Sequence, residues 1–264
     1  MRAASDTRCG ISQGDAEEDN YPNVMDHARK PLHFFASAAE MYRAFTEVGA
    51  VWAQVGKSAG RGDIAAHGAM LLKLAPLLRI DLQAALNRTV QATGSPTAPS
   101  RWPFVAEFGD MGGQFAHPHR AYPELCYSGA LTLQQVDDIY TYMSNGSPDG
   151  SPEADGSTWS LMLGIPSQNA TISSRAPFGL AYGLLQHDMI ERFLLHFFAF
   201  SAHGYTRGTW TTPESANLAD RDVPAAAYAS TGVHTVPTYL KWMLVFEEPE
   251  TRTLWLGKAT PRDW

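Results

Sequence analysis

Cysteine is nearly missing from this chain: two thiols, Cys9 and Cys126, in 264 residues. Two widely separated thiols make neither a disulfide framework nor a zinc site on their own, so both read as free. No apolar run approaches the roughly 18 residues that a membrane span needs. The longest, Phe193 to Phe200, contains His196. The opening MRAASDTRCGIS has no hydrophobic stretch of signal-peptide type. The chain therefore reads as cytoplasmic if complete, and as secreted if it is a piece of a longer protein. Positive charge is also scarce, with 20 Lys and Arg against 27 Asp and Glu and a net charge of −7. No basic cluster is dense enough for nucleic acid, and the mild acidity argues against polyanionic partners. The dinucleotide glycine fingerprint, the P-loop, the zinc-protease helix and the serine-hydrolase elbow are all lacking. No cofactor is expected, and His117-x-His119 has no partner pattern that would complete a metal site.

What is present is a globular composition, 44% hydrophobic, with breaker-rich loops between helical stripes. Residues 1–30 are polar and acidic, including the run Asp15, Glu17, Glu18 and Asp19. A helix is predicted over 31–56, where Phe35, Ala38, Tyr42, Phe45 and Trp52 recur at helical spacing and Gly56 and Gly60 supply the stop. A second is predicted over 62–75, ending near Pro76, and a third over 77–92. Thr132 with Gln135 forms a capping box opening a helix to about Met143. Residues 158–166 look strand-like or irregular. Residues 178–203 read as one buried helix, apolar nearly all round, carrying His187, His196 and His203. Residues 204–233 read as loop, and a short helix runs from Pro237 to about Met243. Leu244–Glu247 and Thr253–Lys258 then read as two strands around the turn Glu248-Pro249-Glu250. The fold class is thus mainly α, divided into a polar segment (1–30), a helical-hairpin domain (31–243) and a terminal strand pair (244–264).

The tail carries Leu254, Leu256, Ala259, Pro261 and Trp264. It is similar to the L-x-L-x-x-A-x-P-x-x-W segment that follows the last helix in six-hairpin glycosidases, the (α/α)-toroid superfamily. The upstream run LLQHDMIERFLLHFFAFSAHGYTRGTWTTPES resembles a helix-then-loop segment of the same superfamily. The resemblance rests on 178–264 and implies the C-terminal half of a toroid with its loops facing a carbohydrate. The chain offers roughly half the helices that closing a toroid needs, so the toroid is expected to be incomplete and the strand pair truncated.

Glycoside cleavage needs two carboxyl groups across the scissile bond, and an aromatic, partly dry pocket to raise the pKa of one of them. Three loop clusters offer acids: the run Asp15, Glu17, Glu18 and Asp19, which reads as a solvated face, and two loops that combine acids with aromatics. The breaker-rich stretch 93–124 holds Trp102, Glu107 and Asp110 among phenylalanines and glycines. The stretch after residue 203 holds Glu214, Asp220 and Asp222 beside Trp210. Glu214 paired with Glu107, Asp110 or Asp222 is the expected acid/base couple, with inversion implied by the resemblance. Trp102 and Trp210 would stack on sugar faces, and Arg207, His117, His119, Tyr205 and His203 would bond hydroxyls. Tyr122 and Tyr127 could border the same cleft. Two other readings stand beside this one. A polysaccharide lyase would use Tyr205, His203 and Arg207 to abstract and stabilise a proton, although an acidic chain repels polyuronates. A helical scaffold or carbohydrate-binding fragment would bind without turnover.

Overall fold

The structure, a computed structural model, describes residues 35–93, 125–145, 171–173, 178–206, 208–213, 215–217, 228 and 230–263. It is mainly helical and carries an antiparallel strand pair at its C-terminal end. The elements are α1 (Phe35–Ser58), α2 (Gly62–Thr93), α3 (Leu133–Asn145), β1 (Thr171–Ser173), α4 (Phe178–Gln186) and α5 (Ile190–His203), followed by β2 (Ser215–Asn217), α6 (Ser230–Leu244), β3 (Val245–Glu248) and β4 (Thr253–Leu256).

α1 and α2 form an antiparallel hairpin whose backbones nearly touch. A Cβ on Gly56 would lie 2.4 Å from the Ala65 nitrogen, and one on Gly68 would lie 2.3 Å from the Ala53 nitrogen. Gly56 is therefore the hairpin's contact point inside α1, not its stop. Gly60 is the stop. Its φ of +66° lets its own N–H donate to the Lys57 carbonyl at 3.3 Å while the Arg61 N–H donates to the Gly56 carbonyl at 2.8 Å, a complete Schellman cap. Pro76 does not end a helix either: α2 runs through it. A proline removes one hydrogen bond and crowds one carbonyl. Burial of Ala75, Leu82, Ala85 and Leu86 on the same helix outweighs that loss, at about 1.5–3 kcal/mol per large apolar side chain.

The capping box forms as predicted. The Thr132 N–H donates to Gln135 Oε1 at 2.9 Å and the Gln135 N–H donates to Thr132 Oγ1 at 3.3 Å. The Gln135 side-chain amide also donates to Gln83 Oε1 at 2.8 Å, so the start of α3 is tied to α2.

The predicted helix over 178–203 is two helices. α4 ends at Gln186 and is capped by Asp188, whose φ is +57°. The Asp188 N–H reaches the Leu185 carbonyl at 3.2 Å and the Met189 N–H reaches the Leu184 carbonyl at 2.9 Å, the same cap that Gly60 makes. α5 is one-sided: Phe193, Phe197 and Phe200 are buried while Leu195 and Phe198 are exposed. α6 begins seven residues earlier than the predicted start at Pro237 and contains that proline. The predicted loop after residue 203 includes β2, paired antiparallel with β1 as Ile172 to Ala216. The polar segment 1–30 and the strand-like stretch 158–166 lie outside the described residues.

β3 and β4 pair in register, Phe246 opposite Trp255. Phe246 is fully buried and joins Tyr239, Trp242, Leu184, Leu185 and Phe193 in the core. Lys258 locks the hairpin down. Its side chain is only 4% exposed and its ammonium is 3.0 Å from Asp188. It also lies over the Trp255 and Phe246 rings.

Candidate functional site

An open cleft of about 1270 Å³ runs between α1, α6 and the β3–β4 hairpin. Helical spacing on α1 brings Arg43, Thr46, Glu47, Ala50 and Gln54 to one wall. Tyr127, Tyr182 and Trp242 form an aromatic base. The Tyr127 and Tyr182 ring centroids are 5.0 Å apart and those of Tyr182 and Trp242 are 5.6 Å apart, both edge-on. The Arg43 guanidinium lies 3.6 Å from the Tyr127 ring centroid and 4.6 Å from that of Tyr182. It also donates to the Tyr127 carbonyl, and its Nε donates to Glu47 Oε1 at 2.6 Å. A planar cation stacked on one ring and forked to two acceptors is held in one orientation. Burial pushes the Tyr182 hydroxyl up to about 12, so this tyrosine is a neutral phenol.

A small recess shares Arg43, Thr46, Glu47, Tyr182 and Pro249 with the cleft and is closed by Tyr42, Ser128, Gly129 and Glu250. Two carboxyl groups, Glu47 and Glu250, therefore border one recess of about 10 Å³, room for a single water, and Glu47 also lines the cleft. Glu250 sits in the turn after β3, with its side chain 22% exposed and the Arg79 guanidinium 3.9 Å away. The Tyr42 hydroxyl donates to its Oε1. Gly129, at φ +76°, brings backbone against the carboxyl. Burial raises the Glu250 carboxyl from about 4.5 to about 7. A carboxylic acid about half protonated at neutral pH can still give that proton away there.

The sequence-predicted residues fall into two groups. Glu107, Asp110, Glu214, Asp220, Asp222, Trp102, Arg207, His117, His119 and Tyr122 lie outside the described residues. Trp210, Tyr205 and His203 are described. Trp210 is 68% exposed with φ +54°, a left-handed backbone that costs a bulky residue about 1–3 kcal/mol. Its loop is braced: the Trp210 N–H donates to the Thr206 carbonyl at 3.1 Å and the Thr206 N–H to the Thr211 carbonyl at 2.9 Å. Thr206 Oγ1 sits 2.7 Å from Thr209 Oγ1 and 2.6 Å from Thr211 Oγ1. Tyr205 lies beside Trp210, ring centroids 6.2 Å apart. Its hydroxyl donates to the Gly232 carbonyl at 2.7 Å and accepts from the Val236 N–H at 3.2 Å. Burial raises its pKa. Both facts oppose its use as a lyase base. His203 is exposed in the last turn of α5.

No protein-family model, curated protein or solved structure matches this chain. Its function must therefore be read from the chemistry of the site.

Tyr127 was legible as a cleft residue in the sequence, but Arg43, Glu47, Tyr182, Trp242, Glu247 and Glu250 were not. The Arg43–Glu47 spacing of four on a helix face was the one local signal available. Among the described residues, no group of three His, Cys, Asp or Glu could hold a metal ion. Among the same residues, no helix is long and apolar enough to cross a membrane. Cys126 is buried, and its thiol pKa is pushed well up by desolvation, so it is not a nucleophile.

Proposed function

We propose that this chain is a carbohydrate-active protein that cleaves glycosidic bonds in the cleft between α1, α6 and the β3–β4 hairpin. The observation that carries the proposal is the pair of unlike carboxyls on one recess. Glu250 is held protonated near neutrality by burial, and Glu47 is salt-bridged to Arg43. Glycoside hydrolysis uses this division of labour. Glu250 gives its proton to the leaving glycosidic oxygen through a water, which the recess is large enough to hold. Glu47 takes a proton from the water that attacks the anomeric carbon. Half-buried Tyr127, with the buried Trp242 behind it, gives the C–H side of a pyranose an apolar contact at the cleft base. The resemblance of the tail to six-hairpin glycosidases points the same way. The loop acids Glu107, Asp110, Glu214 and Asp222 remain candidates for further contacts to the same substrate.

The test is hydrolysis of a panel of oligosaccharides and polysaccharides, read as new reducing ends. A cleaved substrate is expected, with Glu250→Gln and Glu47→Gln each lowering kcat by about 10²-fold or more. Full activity in both variants would move the chemistry to the loop acids. A new ultraviolet-absorbing double bond in the product would instead indicate a lyase. Exposed Trp210 on its hydroxyl-braced loop favours one other reading, a binding module. Glycan binding without turnover in the wild-type chain would establish that one.

A further inference from the structure

The charge of the cleft is opposite to that of the chain. The whole chain carries −7, yet Arg43, Lys57, Lys241 and Arg252 line the cleft against only Glu47 and Glu247. Both carboxylates already have a cation: Glu47 has Arg43, and Glu247 has Lys241. Lys57 and Arg252 form no ion pair among the described residues, so the surplus is positive. Arg252 also occupies a left-handed backbone position, φ +55°, in the turn between β3 and β4. Glycine would sit there at less cost, so the turn holds a guanidinium at the cleft edge against a backbone preference. Glu250, the remaining carboxyl of the adjoining recess, keeps its proton up to about pH 7 and does not cancel the surplus below that. A concave surface lined by one sign of charge focuses the field on a ligand of the opposite sign.

We infer that the cleft takes an anionic glycan, carrying carboxylate or sulfate groups along its chain, with Lys57 and Arg252 as the cations that receive them. This rests on the carbohydrate reading above and names its substrate class. Net charge alone argued against polyanions, but the local arrangement reverses that argument for this surface. A guanidinium can bind a carboxylate or a sulfate through two parallel hydrogen bonds, and an ammonium adds a point charge. The aromatic base would carry the apolar faces of the same sugars.

Calorimetric titration of the full chain tests this with five probes: oligogalacturonate, its fully methyl-esterified form, a sulfated galactan oligosaccharide, cellohexaose and poly-glutamate. The expected result is binding of at least one anionic oligosaccharide about tenfold or more tighter than the two neutral ones. That preference should shrink with added salt and be abolished in Lys57→Gln/Arg252→Gln, whose exposed positions leave the fold intact by circular dichroism. Whether the carboxylated or the sulfated probe binds tells which anion the cleft takes. Equal or tighter binding of the neutral sugars overturns the anionic class and leaves the carbohydrate reading standing. Poly-glutamate binding as tightly as the anionic sugars overturns it as well, since charge alone would then suffice. If none of the five binds the folded chain, both the inference and the carbohydrate reading fail.

Discussion

Glu250 and its hydrogen-bond partner Tyr42 stand 208 positions apart in the chain, and the pair sets the expected pH behaviour. The folded protein keeps the Glu250 proton up to about pH 7, while a free glutamate releases it near 4.5. Folding therefore takes up a proton between those values, and stability falls as pH rises through the window. The loss is expected to be about 1–3 kcal/mol, bounded by the size of the shift and reduced by solvent screening. Thermal melts should show the wild type losing several degrees between pH 5 and pH 8 relative to Glu250→Gln, in which only the opposite, smaller gain from His187, its pKa lowered by burial, remains. A wild type that shifts between the two pH values only as Glu250→Gln does would remove the buried acid from the account. Tyr42→Phe deletes a hydrogen bond that favours the ionised carboxylate. Its Glu250 carboxyl should titrate higher than in the wild type, which carbon NMR of the side chain would detect. The two αL caps differ in legibility for a residue-level reason. Gly60 announces its conformation because glycine is the usual occupant. Asp188 makes the same cap with a side chain that equally suits a helix face, so the apolar stripe ran through it and two helices read as one.

At the scale of elements, the hairpin of α1 and α2 turns on backbone proximity. Gly68→Ala would place a methyl 2.3 Å from the Ala53 nitrogen. The better helix propensity of alanine is worth about 1 kcal/mol at most. Overpacking against backbone costs about 1–3 kcal/mol or more, so the net effect is expected to be destabilising. Gly62→Ala is the control. Nothing lies within 4 Å of its added methyl, and stability should hold or rise by up to about 1 kcal/mol. Urea midpoints for the two variants decide between a packing role for Gly68 and a purely local one. Gln135→Ala should cost about 1–2 kcal/mol by the same measurement, because it removes the bond from the Thr132 N–H and the bridge to Gln83 while the Thr132 Oγ1 cap stays. That cap was readable from the short stretch Thr132 to Gln135. The run of α2 through Pro76 was not, because the burial that sustains it comes from Leu82 and Leu86 packing against elements distant in sequence.

For the whole molecule, the sequence indicated the mainly helical class and the terminal strand pair, since helical stripes and alternation are local patterns. It did not indicate the cleft. Arg43 and Glu47 from α1, Tyr182 from α4, Trp242 from α6 and Glu250 from the hairpin turn meet only through tertiary packing, and none carries a motif. Acids among aromatics in loops drew attention to Glu107, Asp110, Glu214 and Asp222. The carboxyl with a raised pKa among the described residues sits in the turn between β3 and β4, against Tyr42 and Ser128 rather than its sequence neighbours. Everything proposed here turns on a sugar lying in this cleft with Glu250 as its proton donor. A crystal structure of Glu250→Gln soaked with an oligosaccharide cleaved by the wild type tests that most directly. The expected result is a pyranose against Tyr127, with a glycosidic oxygen within hydrogen-bond reach of the substituted side chain at position 250 through one water. A sugar seated away from α1 and the β3–β4 hairpin would contradict the claim.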